Sequence, residues 1–205
     1  MKFSEYESCH LCHRSCGINR YEKNGYCGVP ADIYVSRAAL HRWEEPPISG
    51  ERGSGTIFFA GCSLGCVFCQ NREISRGRSG KRISVEKLAE IMLNLQRDGA
   101  HNINLLTPTH YVPSIIAAVK LAKQNGLTIP IVYNTGSFDT KETIKSLDGI
   151  VDIYLPDLKY YKSATSKRYS LAENYIEAAR DAIAEMYRQK ETPEFDDYGM
   201  LKSGV

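Results

Sequence analysis

Residues 61–71 read GCSLGCVFCQN, and this stretch (the cluster loop below) carries Cys62, Cys66 and Cys69 in a C-x3-C-x2-C spacing. The apolar run at residues 56–60 precedes it and predicts a buried strand. Three thiolates can each bind one iron of a cubane cluster, whereas closed zinc sites and ferredoxin clusters use four protein ligands. The spacing therefore predicts an iron with one position open to a small molecule. The alternative is three buried or zinc-bound cysteines in a small metal ribbon.

The cluster loop resembles that of the radical S-adenosylmethionine (SAM) enzymes, which have an aromatic residue such as Phe68 before the last cysteine. Its continuation through Gln70 and Asn71 is similar to the branch around the pyruvate formate-lyase activating enzymes. The resemblance implies a [4Fe–4S] cluster on the three cysteines, with SAM bound at the open iron. It further implies reductive cleavage of SAM to a 5′-deoxyadenosyl radical, which takes a hydrogen atom from a glycine of a partner glycyl-radical enzyme. An electron donor such as flavodoxin or ferredoxin is implied as a second partner.

The chain after residue 55 alternates strand and helix patterns, which predicts βαβ units around a parallel sheet. Predicted strands lie at residues 56–60, 103–106, 129–133 and 150–155. Predicted helices begin after Ser84, at Pro113, at a capping box of Asp139 and Glu142, and near Ala172. The predicted fold class is α/β. Together with the resemblance, it implies a partial (β/α) barrel with four βα units and a small cysteine-rich N-terminal lobe.

The predicted domains are a lobe and connector at residues 1–54 and an incomplete barrel at residues 55–205. The connector is rich in turn-forming residues, and Glu44 and Glu45 within it are expected to be solvated. The resemblance places a fifth strand near the point where this sequence ends. We therefore expect a C-terminally truncated barrel whose fourth strand has an exposed edge.

Four further cysteines form a second group near the N-terminus. Cys9, Cys12, Cys16 and Cys27 have a C-x2-C-x3-C-x10-C spacing, which is a strong signal for a metal site. Zinc and a second iron–sulfur cluster both remain open, and so do reduced cysteines that simply pack the lobe. An odd total of seven cysteines in tight groups argues against a disulfide framework and favours a reducing cytoplasm.

Polar residues follow each predicted strand, at the edge where parallel α/β folds place their active sites. Thr107 and His110 follow the second strand, where many radical SAM enzymes have a Gly-Gly-Glu-like turn that holds the amino group of SAM. This sequence has no such turn, so the Thr107 hydroxyl and backbone carbonyls are expected to substitute. For His110 three roles stay open: general acid or base, hydrogen-bond partner, and ordinary residue of a helix start.

The third and fourth strands end in an Asn-Thr pair and an Asp-x-Lys motif that resemble Asp-Thr and Asp-x-Lys in the activating enzymes. The resemblance implies that Thr135 and Asp157 help to hold a monovalent cation and that Lys159 meets the carboxylate of SAM. Asn134 replaces an aspartate and removes one negative charge from that cation site. The alternative for Asp157 and Lys159 is a surface ion pair of little energetic value.

Composition limits the remaining function classes. The chain has 205 residues with a formal net charge of +2, too small to argue for nucleic acid or an anionic membrane as a partner. No apolar stretch suggests a signal peptide or a membrane span. Residues 72–82 are basic and are expected to form a solvated loop, with contact to the SAM carboxylate or an acidic partner as the alternative. Two further readings stay open: a radical SAM enzyme for a small molecule, and a non-catalytic electron-transfer or zinc-binding protein.

Overall fold

A computed structural model describes residues 1–76 and 79–205; Arg78 of the basic stretch lies outside the described residues. The strands are β1 (Ile33–His41), β2 (Ser54–Phe59), β3 (Lys81–Ile83), β4 (Ile103–Leu106), β5 (Ile131–Thr135), β6 (Ile153–Pro156), β7 (Glu194–Phe195) and β8 (Leu201–Ser203). The helices are α1 (Pro46–Ser49), α2 (Arg72–Ser75), α3 (Val85–Arg97), α4 (Val112–Gln124), α5 (Lys141–Lys145), α6 (Ser163–Ser170) and α7 (Tyr175–Gln189).

Within the described ranges, six strands form one sheet in the order β3-β1-β2-β4-β5-β6. The four strands from β2 to β6 in this order are parallel, whereas β1 pairs antiparallel with both β2 and β3. The predicted α/β fold with four parallel strands is therefore confirmed. β1 lies in the stretch assigned to the connector, and it extends the sheet by an antiparallel strand of nine residues.

The main core lies between one face of the sheet and the helices α3 and α4. Ile57, Leu105 and Ile131 of the strands pack there against Leu88 and Ile115 of the helices. Each side chain is fully buried, as the apolar stripes of these helices predict. The helix start at Ser84 is also confirmed, because its side chain accepts a hydrogen bond from the Lys87 N–H.

The predicted helix start at a capping box of Asp139 and Glu142 is wrong. Thr140 is the N-cap of α5 and accepts from Thr143 N–H, while Asp139 is fully buried among the strands. Asp139 accepts hydrogen bonds from Tyr133 Oη and Thr135 Oγ1, both at 2.6 Å. A buried carboxylate takes these local donors instead of capping a helix because its desolvation must be offset by hydrogen bonds.

Helix α6 was not predicted, because its sequence SATSKRYS has no apolar stripe. The basic stretch is also more structured than expected, since it contributes α2 and β3. Its Arg76 donates a hydrogen bond to the carbonyl of Gly65 at 2.7 Å, which ties this stretch to the cluster loop.

The outer edge of β6 is partly covered, which corrects the expectation of an exposed edge. The Tyr154 N–H donates to Gly204 O at 2.9 Å, and the Gly204 N–H donates to Asp152 O at 3.2 Å. The residues before Gly204 form β8, which pairs with β7 in a separate two-stranded sheet. In the ranges that the structure covers, no helix is both long and apolar enough to cross a bilayer.

Candidate active site

The cluster loop leaves β2 through Gly61, which has a φ of +90°. A Cβ at this position would lie 2.8 Å from the Cys27 carbonyl oxygen and 2.9 Å from Val29 Cγ2. The same carbonyl accepts a hydrogen bond from the Cys62 N–H at 3.3 Å. Only glycine fits here, because both the backbone angle and the close approach exclude a side chain.

The three cysteines of the cluster loop are free thiols in different surroundings. Cys62 Sγ accepts hydrogen bonds from the N–H groups of Leu64 and Gly65, both at 3.4 Å. Burial raises the pKa of the Cys62 thiol, and these two N–H groups oppose that rise. Cys66 is buried in an apolar cluster, whereas Cys69 is partly exposed beside it.

The donor set fits a three-thiolate iron–sulfur cluster. N–H groups aimed at a cysteine sulfur stabilise the thiolate, which is the form that binds metal. No three His, Cys, Asp or Glu side chains of residues 1–76 and 79–205 lie together at metal-binding distances. Binding of an iron–sulfur cluster would therefore require rotation of the three cysteine side chains, whereas main-chain hydrogen bonds already hold both ends of the loop.

Arg14 holds the cluster loop from the side of the N-terminal lobe. Its guanidinium donates hydrogen bonds to Ser63 O at 2.9 Å and Leu64 O at 3.1 Å. It also donates to the carbonyls of Ser170 and Leu171 at the end of α6, at 2.6 and 2.5 Å. One side chain thus joins the lobe, the loop and α6.

An aromatic cluster brings three strand ends together behind the cluster loop. Cys66 follows β2, Phe138 follows β5 and Tyr160 follows β6, and all three belong to one buried cluster with Tyr175 of α7. Phe68 is 56% exposed, and its ring lies 5.9 Å from that of Tyr160. Phe68, predicted to contact the cofactor, therefore lies at the open side of this cluster.

The loop after β4 contains Thr107 in a left-handed conformation with a φ of +57°. This conformation is unfavourable for a β-branched residue, and such strain concentrates at functional sites. The Thr107 N–H donates to Asn134 O at 2.9 Å, which joins the ends of β4 and β5. Thr107 remains the predicted contact that replaces the Gly-Gly-Glu turn.

His110 is buried beneath the cluster loop. Its Nε2 donates to the carbonyl of Ala60, the residue before Gly61, at 2.8 Å. Burial, and next the positive charge of Arg20, lower the pKa of His110 to about 3, so the ring is neutral at pH 7. Of the three open roles, this placement favours the hydrogen-bond partner, because the His110 ring is 2% exposed and its Nε2 already donates to a main-chain oxygen.

The remaining predicted residues lie at the ends of β5 and β6. Lys159 Nζ lies 2.6 Å from Asp157 Oδ2 in a partly exposed ion pair. Thr135 Oγ1 is buried and donates to Asp139, whereas Asn134 is partly exposed. The main chains of Asp157 and Thr135 are linked by an N–H to carbonyl hydrogen bond of 2.9 Å, so the two predicted cation ligands come from adjacent positions.

Sequence reasoning missed two polar residues on the sheet face opposite α3 and α4. Asn104 of β4 is fully buried between Thr56 and Val132 of the neighbouring strands, and its amide makes no hydrogen bond of standard length to the described residues. The Glu44 carboxyl is the polar group that faces this amide, and a longer contact between the two opposes the rise that burial causes in the pKa of Glu44. Glu44 was expected to be solvated, but its side chain is only 16% exposed. Burial, and next the charge of Glu45, raise the pKa of Glu44. A lone asparagine in the apolar run of β4 was the signal for the first residue.

The sheet, the three-thiol loop and the polar strand ends together define a radical SAM fold. The chain matches the radical SAM superfamily over residues 56–190 and belongs to it. It is 33% identical over 181 residues to a protein of Methanocaldococcus jannaschii named "Uncharacterized protein MJ0674". That alignment covers 84% of this chain and 51% of the relative, so the chain spans about half the length of the relative that it matches.

Proposed function

We propose that this chain is the catalytic part of a radical SAM enzyme that activates a glycyl-radical enzyme. The observation that carries this proposal is the cluster loop, in which three free thiols follow β2 next to the ends of β4, β5 and β6. A three-cysteine [4Fe–4S] cluster with SAM supplies, when bound and reduced, a 5′-deoxyadenosyl radical. The seven free cysteines agree with a cytoplasmic location.

Residues at the strand ends would bind and orient SAM. Lys159 is 35% exposed at its side chain and can turn from Asp157 toward a carboxylate, because an exposed ion pair is worth about 0–1 kcal/mol. Asp157 and Thr135 would then contribute oxygen ligands to a monovalent cation, and Thr107 would contact the amino group. The aromatic rings beside Phe68 would exclude water from one side of the reacting atoms.

The amide of Asn104, which makes no hydrogen bond of standard length in the part of the chain that the structure describes, supports a substrate with peptide groups. A carboxamide offers one acceptor and two donors, which match the N–H and C=O of a backbone segment. A buried amide without a hydrogen bond of standard length costs free energy, and a bound peptide group would offset that cost. A glycine loop of a partner enzyme meets this requirement, and a small amide would also meet it.

The test is anaerobic reconstitution of the full chain with iron and sulfide, followed by SAM and dithionite. We expect 5′-deoxyadenosine and methionine in equal amounts. The Cys66→Ala variant should lose this activity. Val67→Ala is the matched control, because Val67 lies in the same loop, is 55% exposed and carries no metal-binding group.

The substrate is tested with a candidate partner whose glycine Cα is deuterated. Deuterium in 5′-deoxyadenosine and a glycyl radical in the electron paramagnetic resonance spectrum would support the activase. Cleavage of SAM without deuterium transfer would favour a small-molecule substrate. Bound iron and sulfide without any 5′-deoxyadenosine would contradict the enzyme assignment and favour an electron-transfer protein.

A further inference from the structure

The first 32 residues, all described by the structure, contain little regular structure of their own. Their only regular element is a single 3-10 turn at Ser4–Tyr6. Their own apolar cluster consists of Tyr6, Cys9, Leu11 and Ala31, with Phe3 at its edge. Segments of this size with so small a core usually need disulfides or a metal, and all of these cysteines are free.

The backbone brings the four N-terminal cysteines near one another, and their side chains would have to rotate to reach metal-binding distances, as those of the cluster loop would. Cys9 pairs with the strand-like segment after Cys16, since Cys9 N–H donates to Ile18 O and Gly17 N–H donates to Cys9 O, both at 3.0 Å. Gly25 lies between the other two, because a Cβ built there would be 3.6 Å from the sulfurs of both Cys16 and Cys27. Cys12 is buried and lies near the other three thiols.

Arg20 is a buried cation beside these thiols. It is fully buried, and its Nε has no hydrogen-bond partner among the described residues. Its other nitrogens donate to the carbonyls of His110 and Pro30. No carboxylate in the described ranges pairs with it; the ionisable groups that face it are Cys27, Tyr6, Cys9 and Tyr111.

A buried guanidinium without a counter-charge is costly, and the rings of Tyr6 and Tyr111 offset only part of that cost. Four cysteine thiolates around one divalent zinc, or around a cubane cluster, leave an excess of negative charge. Arg20 would supply the opposite charge without exposure to water.

We infer that Cys9, Cys12, Cys16 and Cys27 form a four-thiolate metal centre, separate from the cluster loop, with Arg20 as its buried counter-charge. Zinc and an iron–sulfur cluster share this ligand chemistry. The four thiols release their protons on binding. Zinc binding needs no redox step, and a cubane cluster with two ferrous and two ferric irons forms without one when both oxidation states of iron are supplied with the sulfide. The centre braces the cluster loop, because Cys27 O accepts from Cys62 N–H and Cys12 pairs with Asp139 beyond β5.

The test uses a full chain in which Cys62, Cys66 and Cys69 are all changed to alanine. This protein is incubated anaerobically with zinc in one arm and with iron and sulfide in the other, and is then desalted. We expect about one zinc, or about four irons with the absorption of a cubane cluster, per chain. Retention in either arm supports the site and identifies its metal. Absence of retained metal in both arms overturns the inference, whatever the activity of the wild type.

The contribution of Arg20 is measured in the same background by competition with a chelator. Arg20→Met should weaken metal retention about tenfold or more, as loss of outer-shell partners typically does. Arg20→Lys, which keeps the charge, should retain metal better. Lys23→Met is the matched control, because it removes an exposed cation from the same segment. Equal retention in Arg20→Met and Lys23→Met would overturn the counter-charge role, with circular dichroism as the check on folding.

Discussion

Replacement of Gly61 by alanine tests whether the entry to the cluster loop is as constrained as the structure indicates. An L-residue at a φ of +90° costs about 1–2 kcal/mol. The new Cβ would also lie 2.8 Å from Cys27 O, a main-chain atom already held by Cys62 N–H. Overpacking of this kind costs about 1–3 kcal/mol. The sum predicts a loss of about 2–5 kcal/mol in the free energy of unfolding.

Gly126→Ala is the matched control for this substitution. Gly126 has a φ of +96°, but a Cβ there would have no neighbour within 4 Å. In both variants alanine must adopt a positive φ, which costs free energy. In both, alanine also reduces the conformational entropy of the unfolded chain, which stabilises the folded state by about 0.4–1 kcal/mol. The difference between them therefore isolates the clash at the cluster loop.

The assay is urea and thermal unfolding, together with iron content after reconstitution. For a chain of this size, each kcal/mol shifts Tm by roughly 2–4 °C. Gly61→Ala should unfold at a lower temperature than Gly126→Ala and should also bind less iron. If the two variants have equal Tm and equal iron content, the close approach of Cys27 to the loop does not constrain it, and the reasoning fails.

Three further predictions concern buried and exposed polar groups. The pKa of His110 is lowered to about 3 in the folded chain, so as the pH falls the unfolded chain takes up a proton at this residue first. The contribution of neutral His110 to the free energy of unfolding is therefore fully present above pH 6.5, and it falls by roughly 1.4 kcal/mol per pH unit below that. Urea unfolding at pH 7 and pH 5 should show a smaller difference in His110→Phe than in the wild type, and an equal difference would contradict the assignment. Lys159→Met should raise the SAM concentration for half-maximal 5′-deoxyadenosine formation about tenfold. Its Tm should change little, because the ion pair with Asp157 is partly exposed. The same rise in SAM concentration for Lys162→Met would refute a specific role of Lys159. Asn104→Leu should raise the free energy of unfolding by about 1 kcal/mol, because it removes a buried amide that makes no hydrogen bond of standard length to the described residues. The same variant should lower SAM cleavage or substrate turnover, and unchanged turnover would exclude a binding role.

Local patterns predicted the four parallel strands, the start of α3 and, to within one residue, the start of α4, because their information lies within a few residues. Apolar runs mark buried strands, an i, i+3, i+4 stripe marks a helix face, and Ser84 before such a stripe marks a helix start. The cysteine spacing of the cluster loop indicated the superfamily for the same reason. The features that local patterns missed or predicted wrongly depend on contacts outside the few residues of the pattern. Helix α6 has no stripe, and Asp139 satisfied the local rule for a cap but is drawn into the core by Tyr133 and Thr135.

By itself, the sequence determined the fold class, the superfamily and the two groups of cysteines, since composition, periodicity and spacing are properties of short segments. Only the tertiary structure decided which distant groups meet. Arg14 contacts carbonyls 49 to 157 residues away, Arg20 lies beneath His110, and β1 joins the sheet beside β2. No local preference encodes such contacts, because they depend on how completed elements dock. The burial that docking produces then keeps His110 neutral at pH 7 and leaves the Asn104 amide without a hydrogen bond of standard length to the residues that the structure covers.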